Sequence, residues 1–414
     1  MTRYIVLLGA LSAGASLANE VTDWNKVMLA AFFTAPVTPA PLTLRTAAIV
    51  QTAVFDAVNG IDRVYAPIHE EATAPRRAST RAAAVQAAYA TLVALYPGQK
   101  ATFDQQRIAS LASIADAPPD AVQQGINWGQ SVAEQILAWR SQDGFSNTTA
   151  PYTGGITPGQ WRPTPPAEAP GLAPQLAQMT PFVISSPSQF RPNGPRPLNS
   201  DQYTADYNET KLMGSATGSG RTADQSQLAT FWNVGNPPDY WDQVATALTN
   251  QRQLSLLQTA RILVLTNLAM ADAIIGCWDA KYTFGSWRPV TAIRLGDTDG
   301  NDATSMEASW TPFLTTPPFP EYPSAHSCAS GAAARVLSLE FGEQSKIDVV
   351  SLAMPNVNRR FYSFTAILDE MKTARIVGGI HFRTACTDGQ ALGTSVADYV
   401  LRHSALPARN RGPR

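Results

Sequence analysis

Charge is scarce in this chain. Asp, Glu, Lys and Arg make up 15% of its 414 residues, and the formal net charge is −1. That balance excludes electrostatic capture of nucleic acid or of an anionic membrane surface. Cysteine is scarcer still. Cys277, Cys328 and Cys386 are too few for a disulfide scaffold and read as small buried core residues, with one bridged pair as the alternative in an oxidising compartment. Alternating apolar and polar residues are missing over any useful length, which argues against a sheet. No short internal repeat is present. An uncharged hydrophobic run of spanning length is missing as well. The nearest approach, "ARILVLTNLAMADAIIGCW" at 260–278, carries Arg261, Asn267 and Asp272 and so reads as a buried helix, not a membrane span.

What remains is apolar and rich in proline. Hydrophobic residues make up 44% of the chain, ample for one large domain or two fused subdomains, and the 31 prolines predict long irregular connections. Residues 1–18, "MTRYIVLLGALSAGASLA", join a basic Arg3 to a short apolar run ending in small residues. They read as a signal peptide, which makes the expected location secreted or periplasmic. Sequons at Asn147 and Asn208 fit export.

Residues 19–144 form a helical region, with Ala-rich helical patterns at 42–61, 79–98 and 118–144. Residues 145–221 are dense in Pro, Gly, Thr and Ser and read as an irregular connection lying over a bundle. Residues 222–414 return to helix, at 222–233, 240–250, 254–282, 324–341, 363–379 and 388–404. The expected class is mainly α, a helical bundle with long Pro/Gly-rich connecting loops.

Three stretches of the last region carry reactive side chains. In "FPEYPSAHSCASG" (319–331) a proline-rich run stops at Ser324, a residue suited to cap a helix. A helix N-terminus offers free N–H groups and partial positive charge to an anion. Ala325 is small enough to let that anion reach the backbone, and His326 beside it can move a proton near neutral pH. The plainer reading is a capped helix with a partly buried histidine. In "CWDAKYTFGSWRPVTAIR" six residues separate Lys281 from Arg288, and Pro289 follows. In "ARIVGGIHFRTACTDG" five residues separate Arg375 from His381, around a Gly378-Gly379 pair where backbone can approach closely. Taken singly, these read more simply as a solvated basic pair and a histidine in a helix seam.

In the order K-x6-R-P, P-S-x-H, R-x5-H, the three stretches together resemble the signature of the superfamily shared by vanadium-dependent haloperoxidases and type 2 phosphatidic acid and acid phosphatases. The resemblance is specific over residues 281–381 and looser over the rest. It implies a tetrahedral oxyanion, vanadate or phosphate, held by Lys281, Arg288, Ser324, the Ala325 amide and Arg375. It implies His381 at the central atom, as the vanadium ligand of a peroxidase or the nucleophile of a phosphatase. It implies His326 as acid and base on the opposite side.

Trp287 directly before Arg288 resembles the haloperoxidase form. Trp278 and Phe319 resemble the aromatics that shape a chloroperoxidase halide pocket, although core packing is the plainer fate of both. The resemblance then implies a vanadium-dependent haloperoxidase with vanadate as cofactor. Hydrogen peroxide, a halide and a small organic acceptor would be its partners, and hypohalous acid its product. A secreted acid phosphatase working through phosphohistidine is the alternative, and a non-catalytic oxyanion-binding relative the second.

Three positions depart from the family pattern: Ala325 for glycine, Ala374 for the serine before Arg375, and Ala385 for a common aspartate. An acid is expected to orient a ligating histidine, so Asp388 or some other acid must replace the missing one. No acidic partner for Arg375 can be assigned. Cys328 and Cys386, each just beyond a motif histidine, are the pair that could bridge. His69 and His403 read as ordinary.

Overall fold

A computed structural model describes residues 19–34, 36–114 and 117–408. The signal-peptide reading at 1–18 lies outside the described residues. The chain is mainly helical, with thirteen α-helices and one short hairpin among the described residues. The first half contains α1 (Glu20–Phe33), α2 (Ala40–Asp62), α3 (Thr80–Leu95), α4 (Lys100–Ala112) and α5 (Pro119–Arg140). A long stretch with a single 3-10 turn at Pro174–Gln178 follows. Then come α6 (Asp201–Gly214), α7 (Ala223–Val234), α8 (Pro237–Gln251), α9 (Leu256–Phe284), α10 (Pro289–Arg294) and α11 (Ala325–Phe341). Strands β1 (Ile347–Val349) and β2 (Arg359–Phe361) pair antiparallel, Asp348 opposite Arg360, before α12 (Phe364–Val377) and α13 (Arg383–His403).

The departures from the sequence reading have physical causes. Three-residue strands are too short to show alternation. Helices α1 and α4 were not foreseen. Helix α6 interrupts the stretch read as irregular, because its inward face is Tyr203, Asp206, Tyr207, Thr210 and Gly214, with almost no aliphatic periodicity. Helix α13 begins at Arg383 because the Asp206 carboxylate of α6 accepts from the Thr384 N–H at 2.9 Å; its own N-cap, Phe382, offers no side-chain acceptor. That tertiary cap is invisible along the sequence.

Helix α9 organises the core. It is long and apolar enough to cross a membrane, but 94% of its apolar window is buried inside the protein, where α2, α11 and α13 pack on it. The Asp272 carboxylate, midway along it, accepts the backbone N–H groups of Phe182, Val183 and Ile184 at 2.7–2.9 Å. Burial pushes this carboxyl up to about 6 against the pull of those three bonds. Its three accepted N–H groups pin the irregular stretch to the core helix.

Helices α11 and α13 cross in close backbone contact. A Cβ on Gly393 would lie 2.0 Å from the Cys328 carbonyl oxygen, and one on Gly331 would lie 2.4 Å from that of Gln390. Backbone cannot yield as a side-chain tip does, so the helices would have to part. Gly393→Val should therefore lower stability by about 1–3 kcal/mol or more in urea unfolding. Gly98→Ala, with no neighbour within 4 Å, should stay within about 0.5 kcal/mol of the parent.

Candidate oxyanion site

Four chain segments deliver the motif residues to one buried place. Lys281 occupies the last turn of α9, which Gly285 ends at a left-handed φ of 54°. Arg288 is the N-cap of α10, Ser324 the N-cap of α11, and Arg375 lies in the last turn of α12. His381 follows Gly379, whose φ of 76° turns the chain between α12 and α13. Lys281, Arg288 and Ser324 are 0% exposed, Arg375 1% and His381 2%. Helix α6 steadies the turn: the Thr210 hydroxyl donates to the His381 carbonyl at 3.3 Å, and Glu209 pairs with Arg383.

The hydrogen bonds fix the tautomer of His381. Arg288 Nη1 lies 3.2 Å from His381 Nε2. Arginine can only donate, so Nε2 accepts and the ring proton sits on Nδ1. Nδ1 lies 2.8 Å from Glu321 Oε1, which also accepts the Phe382 N–H at 3.0 Å. A carboxylate behind the imidazole orients the ring and makes Nε2 more basic, as in carboxylate–histidine–metal arrangements. Glu321 therefore does what was assigned to Asp388 or another acid. Asp388 instead accepts from the Tyr322 hydroxyl at 2.6 Å and faces Arg196. Glu321 stands inside the 319–331 stretch but sixty positions from His381, so no local pattern links the two.

Ser324 does not cap as expected. It occupies the N-cap position, but its hydroxyl makes no capping bond. Ser324 Oγ, Arg288 Nη2, Arg375 Nε and His326 Nε2 are all buried without a hydrogen-bond partner. Orphaned buried polar atoms are uncommon, and of those among the described residues three belong to groups assigned to one anion and a fourth to the histidine assigned as its acid and base. The first-turn amides of α11, beginning at Ala325, have no intrahelical acceptor either. Lys281 differs. Its ammonium donates to the carbonyls of Pro320 at 2.8 Å, Glu321 at 3.0 Å and Pro323. All three of its protons are engaged, so it contributes field more than a free donor. Among the described residues Arg375 has no acidic partner: it donates to the Trp232 carbonyl at 3.1 Å and to Asn233 Oδ1 at 3.3 Å.

Three cations thus share the site with one adjacent carboxylate. Burial pulls Lys281 down to about 8, with the Arg288 charge adding to it; burial likewise lowers Arg288 to about 9 and Arg375 to about 10. Burial pushes Glu321 up to about 7. His381 is held well below its ordinary value, by burial first and then by Arg288, Lys281, Arg375 and His326. His326 is lowered by burial, Arg375 and Lys281. The result is two neutral imidazoles in a positive cage. Two helix C-termini, those of α9 and α12, hold cations, and the N-terminus of α11 is left facing the anion position. No group of three or more His, Cys, Asp or Glu side chains that could hold a bare cation occurs among the described residues. The donor set fits a tetrahedral oxyanion, with His381 Nε2 as the one ligand for a central metal.

Trp278 and Phe319 are core residues whose rings lie 5.1 Å apart, and both also line a cavity of about 30 Å³ beside Ala325 and His326. Phe319 receives Lys281 at 5.0 Å and Arg288 at 4.8 Å from its ring centroid. The cavity has room for a water-sized species next to His326, whose ring is partly accessible. Cys277, Cys328 and Cys386 are buried free thiols, so the Cys328–Cys386 bridge is not formed. His69 stacks on Trp139 and His403 on Tyr399, away from the motif residues.

Residues 261–409 match the family described as the VCPO second helical-bundle domain. The whole chain superposes on a bacterial vanadium-dependent iodoperoxidase with a TM-score of 0.82 at 25% identity, over 95% of this chain and 98% of the other. The chain shares the fold of a vanadium-dependent haloperoxidase and is similar to that family in sequence over residues 261–409. The vanadium chloroperoxidase of Curvularia inaequalis is 26% identical over 190 residues, 39% of this chain but only 31% of that relative's length. A holo-type bacterial vanadium-dependent chloroperoxidase shares the fold, with a TM-score of 0.69 at 19% identity over 88% of this chain and 92% of the other.

Two outcomes follow from the haloperoxidase-type site. Glu321→Ala, which frees the His381 ring, should weaken vanadate binding by about 10–100-fold, with Glu321→Gln between it and the parent and Asp388→Asn unchanged. Calorimetric titration of vanadate reads this. Sulfate, whose charge is fixed across the range, should bind progressively more weakly as pH rises from 7 to 9. Glu321 gains negative charge above about 7 and Lys281 loses its proton above about 8. Both changes oppose the anion, by up to about tenfold per pH unit for each linked proton. Lys281→Met should flatten the upper limb and Glu321→Gln the lower one.

Proposed function

We propose that the chain is a vanadium-dependent haloperoxidase that uses hydrogen peroxide to oxidise a halide to hypohalous acid. The observation that carries the reading is the set of orphaned donors at Arg288, Ser324 and Arg375 around a neutral His381 whose Nε2 accepts. Bound vanadate would supply a Lewis-acidic centre that activates peroxide toward halide. Arg288 and Arg375 would grip its oxygens, with Ser324 Oγ and the Ala325 amide completing the set. Lys281 would add positive charge from behind the Pro320–Pro323 carbonyls. Glu321 would hold the Nδ1 proton of His381 and so keep Nε2 directed at the metal. His326, neutral and partly accessible, would take a proton from incoming peroxide and return it to a departing oxygen. The cavity walled by Trp278 and Phe319 would admit the halide beside His326. The names of the relatives support halide oxidation as the chemistry. The sequence of residues 1–18, which reads as an export signal, supports action outside the cytoplasm.

Purified protein stripped of phosphate should halogenate an activated phenol only when vanadate, hydrogen peroxide and iodide or bromide are all present. His381→Ala should abolish that activity, and His326→Ala should lower it by about 10²–10⁴-fold. Release of phosphate from an aryl ester, inhibited by vanadate and without any halogenation, would move the protein to the phosphatases.

A further inference from the structure

A second cavity, of about 290 Å³, lies on the Glu321 side of His381. None of Lys281, Arg288, Ser324, His326, Trp278 or Phe319 lines it, so it is separate from the anion position and from the small cavity at His326. Three polar side chains in its wall have no hydrogen-bond partner: the Tyr203 hydroxyl, the Ser286 hydroxyl and the Trp287 indole N–H. These residues are 6%, 6% and 2% exposed. Trp287 and Tyr203 lie close enough for the indole N–H to act on the phenolic oxygen, which leaves the Tyr203 O–H as the free donor of the pair. Glu321 reaches the same wall. Its Oε1 takes the bonds from His381 and Phe382, and Oε2 has none among the described residues.

We propose that this cavity binds a small neutral hydroxylated aromatic molecule of the phenol class. Aromatic rings flank it in two pairs, Phe284 with Tyr322 and Tyr203 with Phe382, each 5.7 Å between centroids. Such edges and faces suit a flat ring. A hydroxyl can donate and accept at once, matching a free carboxylate oxygen of Glu321 on one side and the Tyr203 and Ser286 hydroxyls on the other. The charge of the wall selects against an anion. Glu321 and Asp206 are carboxylates, whereas the one cation, Arg196, is turned toward Asp388 at 3.7 Å and is 42% exposed. The volume is about twice that of an engineered cavity that holds benzene, enough for two fused rings.

The test uses 2-naphthol titrated calorimetrically into the full chain with no vanadate, peroxide or halide present. Its result is therefore independent of the haloperoxidase reading. Saturable binding in the micromolar to low-millimolar range is expected, at least tenfold weaker for 2-naphthoate and for cyclohexanol. Leu198→Trp, which fills the cavity from its rim, should weaken 2-naphthol by at least tenfold, and Tyr203→Phe by at least threefold, with Tm unchanged. Should Leu198→Trp fail to fold, Tyr203→Phe, which removes only a hydroxyl, decides alone. Absence of binding overturns the proposal. So does binding that both variants leave intact, which would place the ligand elsewhere, and so does equal binding of 2-naphthoate, which would remove the argument from charge.

Discussion

Three buried cations beside one carboxylate are the constraint around which the site is built. Lys281, Arg288 and Arg375 are each at most 1% exposed, and only Glu321 sits among them with opposite charge. An unpaired charge in the interior loses solvation that nearby dipoles must partly replace. Here the replacement is backbone. Lys281 is held by three carbonyls, Arg288 by those of Phe319 and Ile380, and Arg375 by that of Trp232. What the carbonyls leave unsolved is the net charge. A tetrahedral anion would answer that charge and the orphaned donors together, and so it would stabilise the fold that binds it.

The same need explains the long irregular segments. Inside a helix, carbonyls are committed to amides four residues on. Free ones occur at helix C-termini and in irregular chain, and the cage draws on both. The stretch from Phe319 to Pro323 supplies four of its six carbonyls. Proline there is useful because it cannot enter a helix interior and recapture those carbonyls. The irregular stretch is tied to this one through Leu172, whose N–H donates to the Pro318 carbonyl at 2.7 Å while its own carbonyl accepts from the Trp278 indole and the Tyr282 hydroxyl. Asp272 anchors the same stretch further along α9.

Much of this was legible in the sequence. The helical class follows from periodicity, and the six motif residues stand out because their joint order resembles a family signature. What was illegible is tertiary. Helix α6 has too polar a face to announce itself, yet Asp206, Glu209 and Thr210 on it set the start of α13 and the His381 turn. Asn233 serves Arg375 from the end of α7, across 142 positions. Ser324 could be placed at a helix start, but whether its hydroxyl capped the helix or stayed free depended on what lay opposite.

The alanine at 385 ties these strands together. An aspartate there would be the ordinary partner for His381 in the resembling family, and its loss first looks like damage. In the fold, Ala385 works through its backbone: its carbonyl accepts the Ser324 N–H at 3.0 Å and so holds the start of α11 against α13. The carboxylate at Nδ1 is that of Glu321, which reaches it from a different segment. A longer side chain at 385 would also project into the wall of the cavity that Ala385 shares with Glu321. A small side chain at 385 thus leaves the orienting of the histidine to Glu321 and a space open behind it, and the two are linked because Glu321 serves the imidazole and lines that space.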